Sequence, residues 1–326
     1  MIIVTGGAGF IGSNLLAALE ERGELVVVDW LGDGEKWRNI AKRELYDVVR
    51  PENLFDFLQG REEDVQAVFH MGAISATTET DVDAIVKNNV RLSLDLFRWC
   101  GLNKVRFIYA SSAATYGDGS FGFCDDDTID SLAQLAPLNA YGWSKHVVDR
   151  RIARVLRSGG SLPPQCVGLK FFNVYGPNEY HKGNMRSVVH QLHGEISSGE
   201  DATLFRSHNS DYSDGGQLRD FVYVKDIVDM MVWFLDNPDV QGLYNAGTGQ
   251  ARSFLDLANA VYSAMDKQPN IKFVDTPAEI RDKYQYLTEA DMSKLQEAGY
   301  SKPATSLEDG IRDYIVNYLE QDDRYL

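Results

Sequence analysis

Thr5-Gly-Gly-Ala-Gly-Phe-Ile-Gly12 decides how this chain is read. It follows the β-branched run Ile2-Val4 directly and opens a stretch, Gly12 to Arg22, with helical apolar spacing. Gly7, Gly9 and Gly12 satisfy G-x-G-x-x-G, and Gly6 precedes them. A strand that turns into a helix here needs residues tolerant of positive φ, and a pyrophosphate resting on it needs bare backbone. The helix N-terminus adds N–H donors and a partial positive charge. Taken alone the fingerprint is weak; between a strand and a helix it points to a dinucleotide.

Outward from that loop, Leu25-Val28, Val65-Phe69, Val105-Ala110 and Cys166-Phe172 read as buried strands, with helices at Ile85-Cys100 and Tyr141-Leu156. Strands separated by helices imply right-handed βαβ units and a doubly wound parallel Rossmann sheet of the α/β class. Past Asn173 the pattern loosens. Val188-Ile196, Val224-Leu235, Phe254-Met265 and Leu307-Leu319 read as helices with short strands between them. This predicts a smaller, interleaved α/β substrate domain at about 173–219 and 251–326. The dinucleotide-binding domain is expected at 1–172 plus about 220–250. Ser207-Gln217, rich in Ser, Asp and Gly, predicts a mobile loop.

Composition narrows the function. The 326 residues are 44% hydrophobic and 25% charged, ordinary for a soluble globular protein. A formal charge of −16 opposes free nucleic acid and anionic membranes as partners, and an anionic substrate would need a local basic pocket. Cys100, Cys124 and Cys166 form no C-x-x-C pair, which argues against a disulfide framework or zinc site and suits a reducing cytoplasm. No leader pattern and no apolar run of about 18 residues is seen, so a cytoplasmic protein is expected. His190 and His193 share a helix face without an evident carboxylate partner, so no metal is expected. His70 is expected to close its strand against backbone.

Several residues carry candidate chemistry. Tyr141-Gly-Trp-Ser-Lys145 places a phenol and an ammonium at i and i+4 on one helix face. A free phenol has a pKa near 10. The lysine and a nicotinamide cation would lower it, making Tyr141 a candidate acid/base. The hydroxyl of Ser112, at the end of a strand, can donate to a reacting carbonyl. Asp29 ends the second strand, where an acid favours the ribose hydroxyls of NAD, yet Lys36 and Arg38 can hold a 2′-phosphate. Both dinucleotides therefore stay open. Gly6-Gly12, Asp29, His70-Ala73, Ser111-Ser112 and Asn173-Gly176 all fall at carboxyl ends of predicted strands, the edge where open α/β sheets bind ligands.

Thr5-Gly12, Tyr109-Ala-Ser-Ser-Ala-Ala-Thr-Tyr-Gly117, Tyr141-x-x-x-Lys145 and Phe172-Asn-Val-Tyr-Gly-Pro177 together resemble the extended short-chain dehydrogenase/reductase family over the whole length. Gly34-Glu-Lys36, Ser75-Ala-Thr-Thr-Glu79, His181-Lys-Gly183, Arg219-Asp-Phe-Val-Tyr-Val224 and Tyr284-Gln resemble its nucleotide-sugar epimerase branch. The resemblance implies tightly held NADP(H), with NAD as the alternative. It also implies an ADP-heptose substrate for lipopolysaccharide core synthesis, and a homo-oligomer with a pentamer as one arrangement. By the same resemblance Gly6, Gly9, Phe10, Ile11, Gly12, Asp29, Trp30, Lys36, Met71, Gly72, Ala73, Ile74, Ser75, Asn88, Lys145 and Val174 fall at cofactor positions. Asn173, Asn184, Phe205, Arg219 and Tyr284 fall at substrate positions. Tyr141 and Lys182 fall at two acid/base positions, with Ser112 assisting. The pattern departs from the family at Gln191, where a histidine is displaced to His190, and in enlarged loops at 119–130 and before Arg219.

Three other readings compete. A nucleotide-sugar 4-epimerase or reductase needs only one tyrosine. A 4,6-dehydratase needs a carboxylic acid where Ala113 and Ala114 stand. A dinucleotide-binding sensor has no use for Ser112, Tyr141 and Lys145 together.

Overall fold

The computed structural model describes every residue except 278–280 and 282–284. Its first strand, β1 (Ile2–Thr5), alternates between two faces that are both buried. Ile2 and Val4 pack with Leu15 and Leu16, and Ile3 packs with Val26 and Val68 on the other side. A strand covered on both faces reads as a continuous apolar run, which is the sequence signature of a parallel sheet.

β2 (Leu25–Val28), β3 (Asp47–Val49), β4 (Ala67–His70), β5 (Arg106–Ser112) and β6 (Cys166–Phe171) extend the sheet. The short strands β7 (Asn173–Tyr175), β8 (Ala202–Phe205), β9 (Leu218–Arg219) and β10 (Phe221–Tyr223) leave it, and β11 (Gly242–Ala246) returns to its edge. The order is β11-β6-β5-β4-β1-β2-β3, parallel throughout. The winding direction reverses beside β1, the doubly wound arrangement expected from the sequence. β3 was not among the expected strands. It is an edge strand with only Val49 buried, so it carries little apolar signal.

Helices α1 (Phe10–Leu19), α2 (Leu54–Leu58), α3 (Val82–Ile85) and α4 (Leu92–Asn103) belong to the first half. Between α3 and α4, Val86–Arg91 makes a π-helical turn whose end is marked by the Leu92 N–H donating to Lys87. α5 (Ile129–Gln134), α6 (Ala140–Ser158), α7 (Val188–Ser197), α8 (Val224–Asp236) and α9 (Phe254–Ala264) follow. α1 and α8 cover one sheet face, while α2, α4 and α6 cover the other. A separate core joins α7, α9, β8, β10 and Leu307–Tyr314. Ser207-Gln217 is irregular but tied down, with Ser207 N–H donating to Asp214 and Gly215 N–H to the Phe205 carbonyl.

The glycine loop is closed by backbone alone. A Cβ on Gly12 would stand 2.2 Å from the Gly6 oxygen and 2.9 Å from Gly7 Cα, atoms that cannot swing aside. Gly12→Ala is therefore expected to destabilise the fold by about 3 kcal/mol, the upper end for overpacking. Chemical denaturation of the variant beside wild type measures it.

Candidate active site

A cleft of about 720 Å³ opens at the carboxyl edge of the sheet. Every residue assigned above to the cofactor lines it, together with Ser112, Tyr141, Asn173 and Lys182. Gly6 takes φ +65°, and a Cβ there would meet Gly72 backbone at 2.6 Å, so β1 and β4 exits touch through glycine. Thr5 Oγ1 fixes the same junction, 2.6 Å from His70 Nδ1 and accepting the Gly72 N–H at 3.1 Å. His70 Nε2 lies 2.8 Å from Ser93 Oγ. His70 thus meets two hydroxyls, where the sequence suggested backbone, because its ring points sideways between β1 and α4.

These residues fit a dinucleotide. α1 follows Gly9, which offers no side-chain cap, and has no acidic residue in its first turn, which lines the cleft. Its leading N–H groups are thus available to a diphosphate. At the end of β2, Asp29 accepts from Ala8 N–H (3.0 Å), Trp30 N–H (2.8 Å) and Lys36 Nζ (2.6 Å). Lys36 therefore offsets that carboxylate in the corner where a ribose would lie. Arg38 turns away from the cleft, 5.5 Å from the Tyr325 ring and 3.8 Å from Glu35.

The cleft's reactive hydroxyls meet between β5 and α6. Ser112 Oγ accepts the Ala114 N–H at 3.1 Å and bonds to the Tyr141 hydroxyl. Burial pushes the Tyr141 phenol above its ordinary range; the Ser112 bond pulls against this, and Asp149 adds to it. Lys145 does not reverse the shift. Its ammonium donates to the Ala110 carbonyl at 2.7 Å, and burial lowers its own pKa to about 8. The phenol lowering anticipated from the sequence thus needs the nicotinamide charge as well.

Beneath the cleft lies a buried polar network that sequence reasoning missed. Asp149, one turn beyond Lys145, accepts from Ser111 Oγ (2.6 Å) and the Tyr109 hydroxyl (3.1 Å). Lys170 Nζ stands 3.8 Å from Asp149 and donates to Thr115 Oγ1 at 2.6 Å. A signal was available: Lys170 is a lone charge within a strand otherwise buried on both faces.

Lys182 comes from a different segment, the 3₁₀ turn Tyr180–Met185 after β7. Its ammonium lies 5.4 Å from the Phe10 ring centroid, and burial lowers its pKa against an upward pull from Glu179. Glu179 is buried and accepts from the Ser187 N–H, the Ser187 hydroxyl and the Tyr314 hydroxyl, which fixes the segment to the second core.

The other substrate candidates lie apart. Asn184 is exposed and does not line the cleft, and Phe205 ends β8 outside it. Arg219 donates to the carbonyls of Leu218 and Gln285 and lies 5.7 Å from the ring of Phe254, itself a lining residue. Tyr284 is outside the described residues. His190 packs on Tyr180 at 5.8 Å. Among the described residues no cluster of His, Cys, Asp or Glu is placed to hold a metal ion, and no helix is long and apolar enough to cross a membrane.

Comparison with known proteins agrees with this geometry. Residues 2–247 match the NAD dependent epimerase/dehydratase family. The ADP-L-glycero-D-manno-heptose-6-epimerase of Nitratidesulfovibrio vulgaris is 50% identical over 330 residues, covering 100% of both chains. The crystal structure of the Helicobacter pylori enzyme of that name superposes with TM-score 0.77 at 28% identity, over 97% of this chain and 95% of the other. Thermus thermophilus UDP-glucose 4-epimerase, solved in complex with NAD, gives TM-score 0.75 at 26% identity, over 96% and 97%.

Proposed function

The chain belongs to the NAD dependent epimerase/dehydratase family, and from that premise we propose that it inverts C6″ of ADP-glycero-manno-heptose through a transient ketone. The observation that carries this reading is the pairing, in one cleft, of the Ser112–Tyr141–Lys145 group with Lys182 on an independent segment. A bound nicotinamide dinucleotide supplies the hydride acceptor and donor.

The protein's own groups manage the proton and the orientation. Tyr141 takes the hydroxyl proton as the C–H bond gives up its hydride, and Ser112 donates to the oxygen that becomes the carbonyl. Lys145 holds the Ala110 carbonyl and adds positive charge beside the phenol. Inversion requires hydride to leave from one face and return to the other, so the oxygen presents itself in two orientations. Tyr141 serves one; Lys182, whose buried amine parts with its proton more readily than a free lysine, serves the other. Incubating either C6″ epimer of the ADP-heptose with purified protein should produce the same equilibrium mixture. Product that stays a single epimer defeats the assignment.

The cofactor in this reading is NADP(H), held by Gly6, Gly9 and the first turn of α1, with Asp29, Trp30 and Lys36 around the adenosine ribose. The Asp29–Lys36 pair supports it, since the ammonium makes that corner tolerant of a 2′-phosphate. Lys36→Ala is expected to lower NADP⁺ affinity about tenfold, the weight of one charge-assisted hydrogen bond, and to spare NAD⁺. Parallel titrations with both dinucleotides decide it; an unchanged ratio removes Lys36 as the phosphate reader. The same reading includes a dinucleotide-binding domain of 1–172 plus about 220–250, a substrate domain of about 173–219 and 251–326, a cytoplasmic homo-oligomer and a role in lipopolysaccharide core synthesis.

A further inference from the structure

The cleft is charged against the sign of the chain. The protein carries −16, yet the described lining holds Lys36, Lys145, Lys182 and Arg186 against one carboxylate, Asp29. Three of these cations are committed by their neighbours. Lys36 binds Asp29 at 2.6 Å, Lys145 binds the Ala110 carbonyl at 2.7 Å, and Lys182 lies over Phe10 beside Glu179. Arg186 differs. Its Nε donates to the Gly183 carbonyl at 2.6 Å, and among the described residues no carboxylate pairs with its guanidinium.

The backbone at Arg186 is held on both sides. Gln191 Nε2 donates to its carbonyl at 2.7 Å, and the next residue, Ser187, is bound by the buried carboxylate of Glu179. A planar cation fixed at Nε and unpaired at its two terminal nitrogens is pre-organised for a bidentate oxyanion. A nucleotide sugar brings one diphosphate and a dinucleotide brings another. The glycine loop and the uncapped start of α1 provide for one of them. The second needs a further cationic donor in the cleft.

We propose that Arg186 binds the diphosphate of the nucleotide-linked substrate, an assignment that rests on the nucleotide-sugar reading above. Arg186 lies in the same short segment as Lys182, so anchoring the diphosphate also seats the second acid/base against the sugar.

The test is calorimetric titration of full-length protein presaturated with its dinucleotide, using AMP, ADP, UMP and UDP against wild type, Arg186→Leu and Arg186→Lys. In wild type the diphosphate should bind more tightly than its monophosphate. Arg186→Leu should remove that gain, weakening ADP by about tenfold to a hundredfold, as expected for a lost charge-assisted bond to phosphate. AMP and dinucleotide affinities should move far less, and Arg186→Lys should restore part of the loss. In turnover assays KM for the nucleotide sugar should rise much more than kcat falls. If Arg186→Leu binds ADP normally, or weakens the dinucleotide instead, the assignment is wrong. It is equally wrong if wild type shows no diphosphate gain with either base. If UDP alone shows the gain and Arg186→Leu abolishes it, the ADP-heptose reading falls and the role of Arg186 stands.

Discussion

Turnover of the nucleotide sugar is expected to fall at least about 10²-fold in Tyr141→Phe, the range for a positioned general acid/base. The ring remains, so packing at the start of α6 and the cleft wall are kept; only the hydroxyl that bonds to Ser112 is lost. Burial holds the phenol protonated, which suits it to give a proton to a ketone. In the oxidative direction it must accept one, and there the nearby positive charges have to offset the desolvation. Dinucleotide affinity should be retained, since Lys145 keeps its bond to Ala110 without the phenol. Steady-state rates and a dinucleotide titration on the same preparation check both halves. Near-normal turnover would remove Tyr141 as the acid/base.

Lys182→Met is expected to abolish net epimerisation while leaving some redox chemistry on one epimer. Methionine keeps the apolar stem over Phe10 and loses the amine. The oxygen that faces Tyr141 still has a proton partner; the oxygen in the other orientation has none within about 3 Å, the reach proton transfer needs. An analogue carrying an aldehyde at C6″ should therefore still be reduced or oxidised by either single variant, and the double variant with Tyr141→Phe should do neither. Epimerisation at a normal rate in Lys182→Met would mean that one base serves both faces after the sugar rotates, leaving Lys182 a diphosphate ligand.

The large sheet was legible because its signals are local. Thr5-Gly12 carries its own turn chemistry, and Ile2, Val4 and Val68 are buried in strands whose apolar runs stand out between polar helical faces. That the candidate cofactor residues line one cleft was legible for the same reason, since they cluster at strand exits. The helices of the second core, at Val188, Phe254 and Leu307, were legible from their spacing, but its strands were not, because β8, β9 and β10 are two to four residues long and pair with segments far along the chain. The pairing of Asp149 with Lys170 stayed hidden for a related cause. Lys170 stands out as a lone charge in a buried strand, but its partner on α6 does not, and only when β5 and β6 are set side by side do the carboxylate and ammonium come together beneath Ser111. Arg186 stands four residues after Lys182 in the sequence, but its lack of a carboxylate partner could be read only from the folded chain.

The π-helical turn Val86–Arg91 has an evolutionary consequence. It carries two neighbouring asparagines with separate tasks: Asn88 lines the cleft, while Asn89 exchanges hydrogen bonds with both backbone groups of Ile74 (2.8 and 2.9 Å). Deleting one residue would restore ordinary helical hydrogen bonding and turn one asparagine away from its task. Selection for heat resistance alone would favour the shortened helix, and selection for turnover would reject it. A relative that has kept the fold and given up the reaction is therefore expected to have lost the irregularity.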